Sequence, residues 1–92
     1  DIVDTAGTIT MAANLMKEKG ANSVRAIASH CVMSGPASER IQDSVIEEMV
    51  FTDSIPYSNR CAKVKQLTIA GMFAETIRRV ENNESISDQY LV

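Results

Sequence analysis

Apolar positions recur along this chain with two spacings, one typical of helices and one typical of strands. After the apolar pair at residues 2–3, a spacing of three to four predicts a helix that starts from an N-cap at Thr5 or Thr8. Gly20 is suited to end that helix. Alternating apolar and polar positions predict a strand over residues 23–28. The turn at 34–38 leads into a short helix, whose first position suits Pro36.

The second half of the chain continues the alternation of strands and helices. Strands are predicted at 48–52 and 65–69, and a polar loop over the surface is predicted between them at 56–62. Gly71 is expected to open a last helix that ends at Asn82 and is followed by a polar tail. The buried face of that helix is expected to comprise Phe73, Ala74, Ile77 and Val80.

This alternation predicts an α/β fold, in which flanking helices cover part of a mostly parallel sheet. Parallel sheets normally need cover on both faces, and three or four short strands form only a small slab. A natural chain starts with Met, whereas this one starts with Asp1 and what reads as the end of a strand. We therefore expect residues 1–92 to be a fragment of one domain, truncated on its N-terminal side.

Composition narrows the classes of function. The chain is 45% hydrophobic with a net charge of −3, which argues against disorder. There is no basic stripe and no Trp, so we expect no nucleic-acid partner. No apolar run is long enough to span a bilayer, and we expect no signal peptide, no membrane partner and a cytoplasmic location. Cys31 and Cys61 are expected to be free thiols, and the single histidine, His30, gives little support for a metal site.

One short turn carries most of the candidate chemistry. The 4–8 turn, residues DTAGT, lies between the first strand and the first helix. Such a turn presents unpaired backbone N–H groups, which together with the helix dipole favour a phosphate. Gly7 permits a close approach of the backbone, and Thr5 and Thr8 add hydroxyl donors. The turn has no Lys and no GxGxxG pattern, so it is not one of the common nucleotide-binding loops.

Two carboxylates accompany this turn, and they would repel a bare phosphate. Asp1 precedes the turn and Asp4 begins it. Sugar hydroxyls and Mg²⁺ are the partners that carboxylates favour. A phosphorylated sugar, with its phosphate in the turn and its hydroxyls on the acids, would satisfy both ends. A capped turn that binds no ligand is the alternative.

The opening segment DIVDTAGT resembles the ribose 5-phosphate loop of ribose-phosphate pyrophosphokinases, which share their fold with type I phosphoribosyltransferases. The similarity continues in order through the segments ASH at 28–30, SGPA at 34–37, FTDSIP at 51–56, AETIRR at 74–79 and ESIS at 84–87. It covers nearly the whole chain. The resemblance implies the C-terminal part of such an enzyme, with a type I phosphoribosyltransferase-like fold.

The resemblance also implies an activity and its partners. Enzymes of this family transfer pyrophosphate from ATP to ribose 5-phosphate, with Mg²⁺, and assemble as hexamers. The implied roles are phosphate binding by the 4–8 turn and contact of the neighbouring acids with the ribose hydroxyls. The implied substrate-binding residues are therefore Asp1, Asp4, Thr5, Ala6, Gly7 and Thr8. The family's catalytic and ATP-binding residues are expected upstream of this chain, so the isolated chain is expected to be inactive.

Further positions are assigned more than one role. By the same resemblance, Ser85 and Ser87 match an allosteric site for phosphate and ADP; hydrogen bonds within the tail are their alternative role. His30 and Asp53 lie at predicted strand ends, where each would serve either local hydrogen bonds or a ligand. Two other functions remain open. One is a non-catalytic homologue that assembles with active subunits. The other is an aspartyl-phosphate phosphotransferase with Asp4 as nucleophile, because DTAGT is similar to the DKTGT loop of ion-pumping ATPases.

Overall fold

The computed structural model describes residues 1–58 and 60–90, so Asn59 of the predicted loop and the last two tail residues, Leu91 and Val92, lie outside it. In chain order its elements are β1 (Ile2–Val3), α1 (Gly7–Glu18), β2 (Val24–Ala28), β3 (His30–Cys31), α2 (Ala37–Gln42), β4 (Ile46–Thr52), β5 (Val64–Leu67), α3 (Ala70–Glu81) and a 3₁₀ turn (Ser87–Tyr90). The predicted α/β class is confirmed. β3 was not predicted as a separate strand, because only Ser29 separates it from β2.

The strands pair in parallel throughout. β2, β4 and β5 form one sheet in that order, and β1 pairs with β3. Only Ser29 separates β2 from β3, so residues 24–31 contact β4 through their first part and β1 through their last part. The Thr52 N–H continues the contact with a hydrogen bond of 3.3 Å to the Ser29 carbonyl. β2, β4 and β5 therefore end at one edge of the sheet, where ligands gather in α/β folds.

The hydrophobic core lies on one face of this sheet. Its largest fully buried side chains are Phe51, Ile41, Ile46, Met49 and Cys31, which come from β3, β4 and α2. The opposite face of the sheet is open, since Ile27 on β2 and Leu67 on β5 are both exposed. Parallel sheets are normally covered on both sides. Among the described residues, this sheet is covered well on only one.

The ends of α1 differ in how well the sequence predicted them. Gly20 adopts a left-handed φ of 105° just after the helix. Its N–H donates to the Lys17 carbonyl and the Ala21 N–H donates to the Met16 carbonyl, both at 3.1 Å. This is a Schellman motif, which confirms the predicted stop at Gly20. The predicted threonine N-cap is wrong, because Ala6 occupies that position without any side-chain cap.

The short helix α2 starts one residue later than its sequence suggested. Pro36 was expected at the first helical position, but it occupies the N-cap of α2, with φ −82° and ψ 11°. The proline ring still restricts φ to a value that a helix entrance tolerates. The strand predicted at 48–52 begins earlier, at Ile46, and the strand predicted at 65–69 is displaced to 64–67.

The predicted buried face of α3 is wrong. No described residue of that helix is buried, and Phe73, Ile77 and Val80 are 51%, 69% and 61% exposed. The pattern is amphipathic, as expected, but no described helix or strand covers its apolar side. α1 shows the same effect in part, because only Ala13 of its apolar positions is buried. The predicted surface loop at 56–62 is more buried than expected, since Cys61 is buried and Tyr57 packs against the core.

Candidate functional site

The 4–8 turn is built around an unusual backbone conformation. Ala6 has a left-handed φ of 66°, and its side chain is buried. Non-glycine residues in this region carry strain of about 1–3 kcal/mol, which persists only where neighbours fix the conformation. Here the Thr10 N–H and hydroxyl both donate to the Ala6 carbonyl, at 3.1 and 2.7 Å. The turn is therefore held in shape by the first turn of α1 that follows it.

The backbone N–H groups of this turn are free to bind a ligand. Within residues 1–58 and 60–90, no protein group accepts a hydrogen bond from the N–H groups of residues 5–8. The hydroxyls of Thr5 and Thr8 also have no partner in the described part of the chain, and both residues are exposed. The turn lines an open cavity of about 460 Å³ together with Ile27 and Ala28. That volume lies within the range of small-molecule sites.

The two acids beside the turn are held differently. The Ser34 hydroxyl donates to Asp4 Oδ1, and the Ser34 N–H donates to the Asp4 carbonyl at 2.9 Å. The carboxylate of Asp4 is therefore oriented by the segment between β3 and α2. The Asp1 carbonyl accepts the His30 N–H at 2.8 Å, while its exposed carboxylate has no hydrogen-bond partner among the described residues. Both residues are exposed and line the cavity.

The structure describes no group of three His, Cys, Asp or Glu side chains placed to hold a metal ion by themselves. Mg²⁺ commonly uses only one or two protein carboxylates and completes its shell with substrate oxygens and water. Asp1 and Asp4 offer oxygen donors of that kind. Among the described helices, none has both the length and the apolar character needed to cross a bilayer.

His30 and Asp53 both make local hydrogen bonds. His30 Nδ1 lies 2.7 Å from Ser54 Oγ. Asp53 Oδ1 accepts the Ile69 N–H at 3.0 Å, just ahead of α3. That hydrogen bond, followed by one with the Thr68 side chain, lowers the pKa of Asp53. Asp53 thus helps to fix the connection into α3.

Ser85 and Ser87 lie together on the tail after α3, with their hydroxyl oxygens 3.0 Å apart. Arg79 Nη1 donates to the Ser85 carbonyl at 3.3 Å and also pairs with Asp88. Glu75 binds Arg78 and Arg79, and these partners, Arg78 first, lower its pKa to about 2. An anion at these serines would compete with carboxylates that already engage Arg79.

Two residues that contact the 4–8 turn were not predicted from the sequence. Ser34 orients Asp4, and Arg40 of α2 donates from Nη1 to the Thr5 carbonyl at 3.1 Å. Both lie about thirty residues downstream of the turn and carry no spacing that links them to it. The only available signal was that Ser34 belongs to the segment SGPA. The approach of α2 to α1 brings Arg40 to the turn, and a one-dimensional pattern does not contain that approach.

Comparison with known proteins gives consistent matches. The family model described as the phosphoribosyl synthetase-associated domain matches residues 1–91. A ribose-phosphate pyrophosphokinase from Porphyromonas gingivalis is 64% identical over 90 residues, which is 98% of this chain and 29% of that protein. One from Campylobacter jejuni is 50% identical over 91 residues, with 99% and 29% covered. The chain thus spans less than a third of the length of these relatives.

A solved structure has the same fold. The crystal structure of phosphoribosylpyrophosphate synthetase from Mycobacterium smegmatis matches with a TM-score of 0.86 and 38% sequence identity. The match covers 90% of this chain and 28% of that one. At this identity, both the fold and the sequence support the likeness.

Proposed function

The chain belongs to the phosphoribosyl synthetase-associated domain family, and from this premise we propose that it forms part of a ribose-phosphate pyrophosphokinase. In this proposal the 4–8 turn binds the 5-phosphate of ribose 5-phosphate. The observation that carries the proposal is the set of unpaired N–H groups of residues 5–8, which line a cavity of about 460 Å³.

Phosphate binding follows from the donors of the turn. The N–H groups at the start of α1 have no partner within the helix, and the helix dipole favours a negative charge beside them. Ala6 and Gly7 would bind phosphate oxygens through N–H, and Thr5 and Thr8 would add their hydroxyls. Gly7 has no side chain that would separate its backbone from the phosphate.

The acids give the site its preference for a sugar over a free anion. Carboxylates accept hydrogen bonds, so Asp1 and Asp4 would bind the 2- and 3-hydroxyls of the ribose. One oxygen of Asp4 already accepts the Ser34 hydroxyl, which leaves the other oxygen for the sugar. A ligand that offers only phosphate would meet two negative charges and no hydroxyl donors. The arrangement therefore favours a phosphorylated pentose.

The remaining parts of the reaction are assigned to residues outside this chain. We propose that the chain is the C-terminal part of the longer enzyme and that the ATP-binding and catalytic residues precede it. Mg²⁺, bound with ATP, would neutralise phosphate charge, and most of its ligands are expected among those preceding residues. The 92-residue chain alone would then have no synthetase activity. Measurable turnover of ATP and ribose 5-phosphate by the purified chain would contradict this assignment.

Assembly and regulation are proposed for the longer enzyme in the same way. A homo-oligomer, a hexamer by family resemblance, is the expected state, and sedimentation of the longer enzyme tests it. Ser85 and Ser87 are proposed to contact an allosteric phosphate or ADP. The proximity of their hydroxyls to one another supports that role, and Arg79 would have to leave Asp88 before it could bind the anion.

Titration of the isotope-labelled chain with ribose 5-phosphate, followed by amide NMR, tests the binding proposal. We expect the amide resonances of residues 5–8 to move in a saturable manner. Ribose without phosphate should move them little, and inorganic phosphate should move them with weaker affinity. Changes confined to other residues, or equal changes with plain ribose, would contradict the assignment of the turn.

A further inference from the structure

We propose that Arg40 is a positioning residue for the 4–8 turn: it fixes the Thr5–Ala6 peptide so that the Ala6 N–H points into the cavity. The part of this proposal that concerns ligand affinity rests on the proposed function above. The part that concerns the shape of the turn does not. Arg40 acts from α2, outside every segment in which the sequence indicated a binding role.

The contact between Arg40 and the turn is direct. Arg40 Nη1 donates to the Thr5 carbonyl at 3.1 Å. The C=O and the N–H of one peptide unit point in opposite directions, because the unit is planar and trans. A Thr5 carbonyl that is bound to Arg40 on one side of the turn therefore directs the Ala6 N–H to the other side. This orientation is the one that a phosphate in the cavity requires.

Gly7 makes room for this contact. A Cβ at Gly7 would lie 3.2 Å from Arg40 Nη1, which is closer than an ordinary van der Waals contact. The guanidinium thus packs against the bare backbone at this position. The absence of a side chain at Gly7 makes room for Arg40 on one side of the turn, in addition to allowing the close approach of a ligand on the other side.

Arg40 lies behind the turn and not in the ligand cavity. It lines a second cavity of about 540 Å³ between α1 and α2, and Gly7 lines both cavities. The backbone of the turn therefore separates the proposed ligand on one side from the guanidinium of Arg40 on the other. Arg40 is placed to orient the turn without touching the substrate.

The charge of Arg40 is not committed to another side chain. Within the described part of the chain, Arg25, Arg78 and Arg79 form ion pairs and Arg40 forms none. Glu39 and Asp43 line the same cavity as Arg40 but do not pair with it. A cation behind the turn offsets part of the negative charge of Asp1 and Asp4 in front of it. This offset helps to explain how an anion site tolerates two neighbouring acids.

Three variants test the proposal, each made in the labelled 92-residue chain for the ligand-free resonances and in the longer enzyme for affinity. Arg40→Met removes the charge and the donors at similar length, Arg40→Lys keeps the charge with a different donor geometry, and Arg25→Met is the control at an exposed position of β2. Without ligand, the Thr5 carbonyl ¹³C and Ala6 amide resonances report the orientation of the peptide. With ribose 5-phosphate, the dissociation constant reports the function of the turn. Resonances of β4 show that each variant is folded.

For Arg40→Met we expect displaced Thr5 and Ala6 resonances and affinity for ribose 5-phosphate weaker by about tenfold, or about 1.4 kcal/mol. Arg40→Lys should lose about threefold, and Arg25→Met should stay within about twofold of the wild type. Unchanged Thr5 and Ala6 resonances in folded Arg40→Met would overturn the proposal, and so would affinity within about twofold of the wild type. Failure of the wild-type longer enzyme to bind ribose 5-phosphate would instead overturn the proposed function, and the ligand-free resonances would still decide the role of Arg40.

Discussion

Truncation of one isoleucine in α2 and one in α3 should have very different effects on stability. Ile41 of α2 is 0% exposed, whereas Ile77 of α3 is 69% exposed. Both lie within helices, so Ile41→Ala and Ile77→Ala make the same chemical change in similar backbone. The pair therefore isolates the contribution of burial.

The expected magnitudes follow from these exposures. Ile41→Ala leaves a cavity in the core and should cost about 3 kcal/mol of unfolding free energy, within the usual span for this change. Ile77 keeps only about a third of its area covered, and full burial of an isoleucine contributes about 1.5–3 kcal/mol, so its truncation should remove about 0.5–1 kcal/mol. The higher helix propensity of alanine returns about 0.4 kcal/mol. The net cost at Ile77 should therefore be about 0.5 kcal/mol or less.

Equilibrium unfolding in urea, followed by circular dichroism, measures both costs. With an m-value of about 1.5 kcal/mol/M, Ile41→Ala should lower the midpoint by about 2 M and Ile77→Ala by about 0.3 M. Losses of equal size would refute the reasoning, since they would mean that the apolar face of α3 is buried in solution. Repeating the measurement at two protein concentrations identifies burial by a second copy, because only that burial makes the midpoint depend on concentration.

Three further predictions concern the turn, the tail and the thiols. Gly7→Ala should weaken ribose 5-phosphate binding in the NMR titration, because the new Cβ would lie 3.2 Å from Arg40 Nη1 and the guanidinium would have to shift, and the same change should weaken binding less in an Arg40→Ala background. The pKa of Glu75 is lowered from 4.5 to about 2. Its contribution to the stability of α3 is therefore present above pH 4.5 and is lost as the pH falls through about 2. A carboxyl ¹³C titration measures this pKa, and a midpoint near 4.5 would contradict the prediction. Burial raises the pKa of the Cys31 thiol, so alkylation by iodoacetamide should be slow in the folded chain and fast in urea, and rapid labelling of the folded chain would contradict that burial.

The sequence was sufficient for those parts of the fold that depend on local pattern. The strands of the three-stranded sheet, the stop at Gly20 and the parallel arrangement all follow from periodicity and from alternation with helices. The N-cap of α1 does not follow, because Ala6 is held in a left-handed conformation by burial and by hydrogen bonds from Thr10. Cap preferences describe isolated helix ends, and here the tertiary contacts of the turn decide the conformation.

The sequence predicted the hydrogen-bond donors of the candidate site but not the residues that hold those donors in place. The small residues and threonines of the 4–8 turn are adjacent in sequence, so the sequence reveals their shared chemistry. Ser34 and Arg40 reach the turn only because β3 pairs with β1 and α2 packs near α1. The exposure of α3 has a related cause. An amphipathic pattern predicts that a helix has an apolar face, but it does not contain the partner that would cover that face.

The parallel arrangement of every strand pair has a consequence for how the chain reaches its native state. Adjacent antiparallel strands can form early as hairpins, but parallel partners need a long crossover before their first hydrogen bond. β2 meets β4 only after α2 has been placed between them in sequence. Folding should therefore begin slowly, with the ends of a long loop brought together before any sheet contact compensates the lost entropy. Until then β2 and β5 expose unpaired backbone, so dilute and cool refolding conditions should give the highest recovery of native chain.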